Sequence, residues 1–112
     1  DAHLMDRFAG STRNAISVVT RVELEAGILR HQSERALAAQ RLEIFLMGHD
    51  CLPFRTEEAN AYRAIIASAG FSRRKLLDRM IAATALVHGI PLATRNPADF
   101  GDVAGLEVVD WG

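Results

Sequence analysis

Three short apolar runs do most to limit what this chain can fold into. Ala15–Val19, Pro91–Thr94 and Leu106–Asp110 are too short for helices and too apolar for surface loops. Stretches with helical spacing stand between them. Strands separated by helices need crossover connections, and crossovers build a parallel sheet covered by helices on both faces. The helical stretches are Thr20–Arg30, Ser33–Gly48, Thr56–Ala69 and one from about Ser72 or Leu77 to His88. In the second of these, Ala36, Ala39, Leu42, Phe45 and Leu46 recur on one side. Gly70 and Gly89 stand where the last two should end. Cys51–Phe54 reads as a brief extended piece. Asp1–Ala9 reads as a short helix with Leu4, Met5 and Phe8 on one side, and Gly10–Asn14 as a turn cluster.

A chain of 112 residues supports one core and no second domain. Its 49% hydrophobic and 24% charged residues describe a globular protein. No run of about 18 apolar residues and no signal-peptide pattern is present, so nothing points to a membrane or to secretion. Cys51 is the only cysteine, which excludes an internal disulfide and makes it a small core residue by default. A net charge of −1 argues against a uniformly basic nucleic-acid binder. The positive charge is nearly all arginine, with Lys75 the single lysine. Arginine suits bidentate phosphate contacts, although genomic base composition produces the same bias.

Acidic residues stand where these elements meet. Glu23 follows the first strand in Thr20-Arg21-Val22-Glu23, which also has the form of a capping box. Glu25 lies about 200° around the helix from it and cannot share its cleft. Asp78 opens Asp78-Arg79-Met80-Ile81-Ala82-Ala83 on the apolar side of its helix, and a simple N-cap for Ile81–Leu86 is the competing role. Asn96 and Asp99 follow the Pro91–Thr94 strand, where ordinary turn chemistry also explains them. In an open α/β sheet the crevice at the carboxyl ends of the strands gathers such positions. Clustered carboxylates repel, and a hard cation such as Mg²⁺ relieves that. Thr20 and Thr94 carry hydroxyls able to orient a neighbouring carboxylate. Arg73, Arg74 and Lys75 put positive charge at a helix start, against the macrodipole, which favours a phosphate ligand or an acidic partner over stability alone. His3, His31, His49 and His88 have no metal-ligand spacing.

Taken in order, these segments resemble the PIN-domain family, and within it the VapC-type toxins of bacterial toxin–antitoxin pairs. The resemblance rests on Ile16–Gly27, on Asp78–Ala85, on Pro91–Phe100 and on the closing Gly105–Trp111. It implies a Mg²⁺- or Mn²⁺-dependent endoribonuclease that cuts structured RNA such as tRNA or rRNA. In that family Glu23, Asp78 and Asp99 would be the catalytic acids, with Asn96 beside them as a metal ligand. Arg73, Arg74 and Lys75 would touch substrate. The resemblance further implies a cognate antitoxin whose tail enters the site, a homodimer and a cytoplasmic location.

One departure from the pattern matters. Family members begin with a strand ending in an aspartate, and Asp1–Met5 only faintly echoes it. The expectation is therefore a single PIN-like domain over residues 1–112, truncated at its N-terminus, with the first strand missing from the centre of the sheet. The structure should then show a gap there or a strand supplied from elsewhere. A PIN-like module that binds protein or RNA without turnover is the alternative. An unrelated small α/β domain, its acids serving only as caps, is the third reading.

Overall fold

The computed structural model describes residues 4–5, 14–30 and 33–110. The elements are β1 (Leu4–Met5), β2 (Asn14–Ser17), α1 (Val18–Arg30), α2 (Arg35–Met47), β3 (His49–Leu52), α3 (Thr56–Ala69), α4 (Leu76–His88), β4 (Leu92–Thr94), a 3₁₀ turn (Pro97–Phe100) and β5 (Val108–Asp110). The sheet order is β3-β2-β1-β4-β5. β2 pairs parallel with β3, and β4 with β5. Both β2 and β4 run antiparallel to β1, so the four outer strands share one direction.

The centre of the sheet differs from a simple gap. Leu4–Met5 occupies the slot between β2 and β4, pairing Leu4 with Ile16 and Ala93, and Met5 with Ala15 and Leu92. Two strand edges facing each other across an empty slot would leave buried backbone N–H and C=O groups unsatisfied. A two-residue strand meets that need, and it corrects the expectation of a helix at these positions. The rest of the expected Asp1–Ala9 helix, and the turn cluster apart from Asn14, lie outside the described residues.

Alternation along the strands separates two cores. Ala15 and Leu92 face one side with Val19, Leu52, Ile65, Ile81, Ala82, Ala85 and Phe100. Their neighbours Ile16 and Ala93 face the other side, against Phe45 and Leu46 of α2. Helices therefore cover both faces, as the period-two pattern requires. The larger core belongs to α1, α3 and α4. Ile81 through Ala85 are all fully buried. Three alanines in that run let α4 approach its neighbours closely, and the Thr84 hydroxyl donates to the Met80 carbonyl at 2.9 Å, so it stays buried without a polar deficit. Burial of a side chain such as Ile81 or Leu92 contributes about 1.5–3 kcal/mol.

Helix ends follow their residues. α3 is held at its start by Glu58, which accepts from the Arg55 amide at 2.8 Å. The other oxygen of that buried carboxylate meets His88 Nε2 at 3.3 Å, tying the start of α3 to the end of α4. α4 stops at Gly89, whose φ of 62° lies in the left-handed region. A Cβ there would meet no atom within 4 Å. Gly89→Ala should therefore cost only the backbone strain, about 1 kcal/mol, read as a lower urea midpoint with an unchanged slope.

Cys51 is exposed, which corrects its expected place in the core. β3 is an edge strand, and of its residues only Leu52 is buried.

Candidate active site

The four co-directional strands give the sheet one carboxyl edge. α1 leaves that edge directly from β2, and the Pro97–Phe100 turn leaves it from β4. α4 ends beside the start of β4. Its 13 residues span about 20 Å, so its first turn returns to the carboxyl edge. Val19 of α1 shares a core cluster with Ile81, Ala82 and Ala85 of α4. Glu23 lies one turn beyond Val19, and Asp78 one turn before Ile81 and Ala82. Each acid thus lies one helical turn from a residue of the same core cluster.

The start of α1 corrects the expected capping box. Ser17 Oγ accepts from the Val19 amide at 3.0 Å, so the helix begins at Val18 and Thr20 is already inside it. Serine is a strong N-cap, and here it acts three residues ahead of the threonine. Thr20 is fully buried, and its Oγ1 makes no hydrogen bond among the described residues. Thr20 and the half-buried Glu23 line a groove of about 610 Å³ between α1 and α2, floored by Leu24, Ile28, Leu42 and Phe45. Glu25 is exposed and pairs with Arg21 at 3.4 Å, a contact worth about 0.3–0.5 kcal/mol.

α4 begins at Leu76 with Lys75 as its N-cap residue, so Asp78 is not an N-cap. It sits in the first turn, where the helix dipole favours a carboxylate. Arg73 and Arg74 are exposed, whereas Lys75 Nζ reaches Asp102 Oδ2 at 3.4 Å. The same oxygen accepts from Arg79 Nη2 at 2.8 Å. Partial burial pushes the Asp102 carboxyl up, but the hydrogen bond from Arg79 and the charge of Lys75 outweigh it and hold the group below its usual range. Asp102 was not among the residues read from the sequence. The available signal was Arg79 itself, a charge set in an apolar helical run.

At the end of β4 the fully buried Thr94 turns its Oγ1 to the Asn96 amide at 3.1 Å. Asn96 then starts the 3₁₀ turn, and its carbonyl accepts from the Asp99 amide at 3.0 Å. Phe100 is buried and anchors the turn, which leaves Asn96 and Asp99 exposed. The PIN-domain family matches residues 3–106.

The chain belongs to the PIN-domain family. It is 34% identical to ribonuclease VapC4 of Mycobacterium tuberculosis over 108 residues, covering 93% of this chain and 81% of that protein. It is also 34% identical to ribonuclease VapC1 of Rickettsia felis over 99 residues, 84% of this chain and 73% of that one. Among solved structures, the DNA-bound VapBC of Salmonella typhimurium superposes with a TM-score of 0.76 at 25% identity, covering 88% of this chain and 75% of that chain.

This PIN domain offers oxygen donors on the edge just described. No three His, Cys, Asp or Glu side chains come together among the described residues. Mg²⁺ does not need three, because it keeps several waters and takes one or two carboxylates together with substrate phosphate. Glu23, Asp78 and the carboxamide of Asn96 carry hard oxygen donors of the kind such a cation takes. The buried Thr20 hydroxyl beside Glu23 would gain a polar partner from such a hydrated site.

Proposed function

We propose that this PIN domain is the endoribonuclease toxin of a toxin–antitoxin pair, cutting structured RNA such as tRNA or rRNA with Mg²⁺ or Mn²⁺. The observation that carries the reading is the 34% identity to named VapC ribonucleases, in a chain whose Glu23 and Asp78 each lie one helical turn from the core cluster shared by α1 and α4. Glu23 and Asp78 would hold the cation, with Asn96 and Asp99 completing the oxygen-rich rim from the neighbouring turn. When bound, the cation supplies Lewis acidity at the phosphoryl oxygens and a lowered pKa for water. The carboxylates themselves do not attack. Arg73 and Arg74, exposed ahead of Asp78, would bind backbone phosphates and orient the scissile one.

The related structures include members of the VapBC family of toxin–antitoxin systems. By the same reasoning an antitoxin silences this chain, its tail reaching Glu23 along the groove between α1 and α2, where Arg30 and Arg41 stand among apolar residues. Val22, Leu29, Ile44 and Met47 are exposed on these helices and would serve a homodimer. No helix among the described residues is long and apolar enough to cross a membrane. A cytoplasmic location follows instead from the toxin reading.

The alternative, a PIN-like module that binds without turnover, is favoured by one observation: no three-acid group among the described residues. Cation removal separates the two. Cleavage of tRNA or rRNA should stop in EDTA and return with excess Mg²⁺ or Mn²⁺. Cleavage that continues in EDTA contradicts the cation's role, and no cleavage under any condition favours the binding module.

A further inference from the structure

Arg79 follows Asp78 directly and is 3% exposed, an unusual place for a guanidinium. Its Nη1 donates to the Gly70 carbonyl at the end of α3, and its Nη2 to Asp102 in the loop after the 3₁₀ turn. Lys75 closes on the same Asp102 oxygen from the turn before α4. One side chain thus joins three stretches of backbone at the carboxyl edge: the end of α3, the first turn of α4 and the loop that follows Asn96 and Asp99. A planar guanidinium with fixed donors holds two such acceptors at once, which an ammonium does less well.

We infer that Arg79, clasped by Asp102, is a positioning residue for the cation site. It fixes the first turn of α4, and with it Asp78, relative to the turn carrying Asn96 and Asp99. This rests on the ribonuclease reading above, and it makes a claim that catalysis alone does not test. Arg79 touches neither RNA nor cation. A carboxylate must be held within roughly half an ångström of its productive place, and the first turn of a helix has no preceding turn to hold it.

The test uses Asp102→Asn, Asp102→Glu and, as a control elsewhere, Glu58→Gln, which weakens the contact between the start of α3 and the end of α4. Mn²⁺ affinity is measured by calorimetry, RNA cleavage by kcat and KM, and folding by thermal melting. In Asp102→Asn, Mn²⁺ affinity and kcat should each fall about tenfold or more, in line with loss of a group supporting a metal ligand. KM for RNA should stay within about threefold, since the phosphate-binding arginines keep their charge. Asp102→Glu should restore both within about threefold, and Glu58→Gln should lower the melting temperature but leave Mn²⁺ affinity unchanged. A folded Asp102→Asn with parental Mn²⁺ affinity overturns the inference, as does an equal loss in Glu58→Gln. If the parent binds Mn²⁺ but cleaves no RNA, the ribonuclease reading fails and the affinity series alone decides the role of Arg79. If the parent binds no Mn²⁺, both fall.

Discussion

Asp78→Asn is expected to stop RNA cleavage while leaving the fold in place. Asparagine keeps the shape of aspartate and removes its charge. The stability loss should be about 0.3–1 kcal/mol, the value of a carboxylate in a helix's first turn. The catalytic loss should be far larger. A bound cation contributes several kcal/mol of charge stabilisation, and each 1.4 kcal/mol is tenfold in rate, so kcat should drop about 100-fold or more. The measurement is single-turnover cleavage of tRNA with saturating Mg²⁺, alongside circular dichroism melts. A variant that cuts at the parental rate would remove Asp78 from the site and leave it a helix-end acid, the plainer role its sequence context also allowed.

Phe100→Ala is expected to have the largest effect on stability. Phe100 is the largest of the fully buried side chains, and it packs with Leu92 of β4, with α4 and with Val103. Truncating a buried phenylalanine costs about 3–5 kcal/mol through lost transfer energy and the cavity left behind. A domain of this size has roughly 5–15 kcal/mol in total, so the variant should unfold at a far lower urea concentration. The same ring holds down the turn that presents Asn96 and Asp99. Residual activity in the folded fraction should therefore also fall. A change below about 1 kcal/mol would show that this corner repacks, and that the anchoring role is wrong.

Some of this architecture was legible in the sequence because local signals agreed. α3 runs from Thr56 to Ala69 as its spacing and Gly70 required, and α4 ends at His88 before Gly89. The start of α1 was misread because two cap-capable residues compete there. Val18 and Val19 are β-branched and look like strand, yet Ser17 caps the helix ahead of them. β1 was not legible at all, because its pairing partners lie far along the chain and two residues carry no period. Among the site residues, Asp78 lies in the first turn of α4, as the apolar run that follows it indicated. The engagement of Lys75 was hidden, since it depends on Asp102, 27 residues away.

The reversed two-residue strand at the middle of the sheet has a mechanical consequence. On one side lies the plate β2–β3, on the other β4–β5, and among the described residues only Leu4 and Met5 pair with both. Glu23 is carried by the first plate, Asn96 and Asp99 by the second. α4 shares one core cluster with Ala15 of the first plate and Leu92 of the second. The relation between the two plates thus depends on helix packing across a narrow seam as well as on the ladder itself.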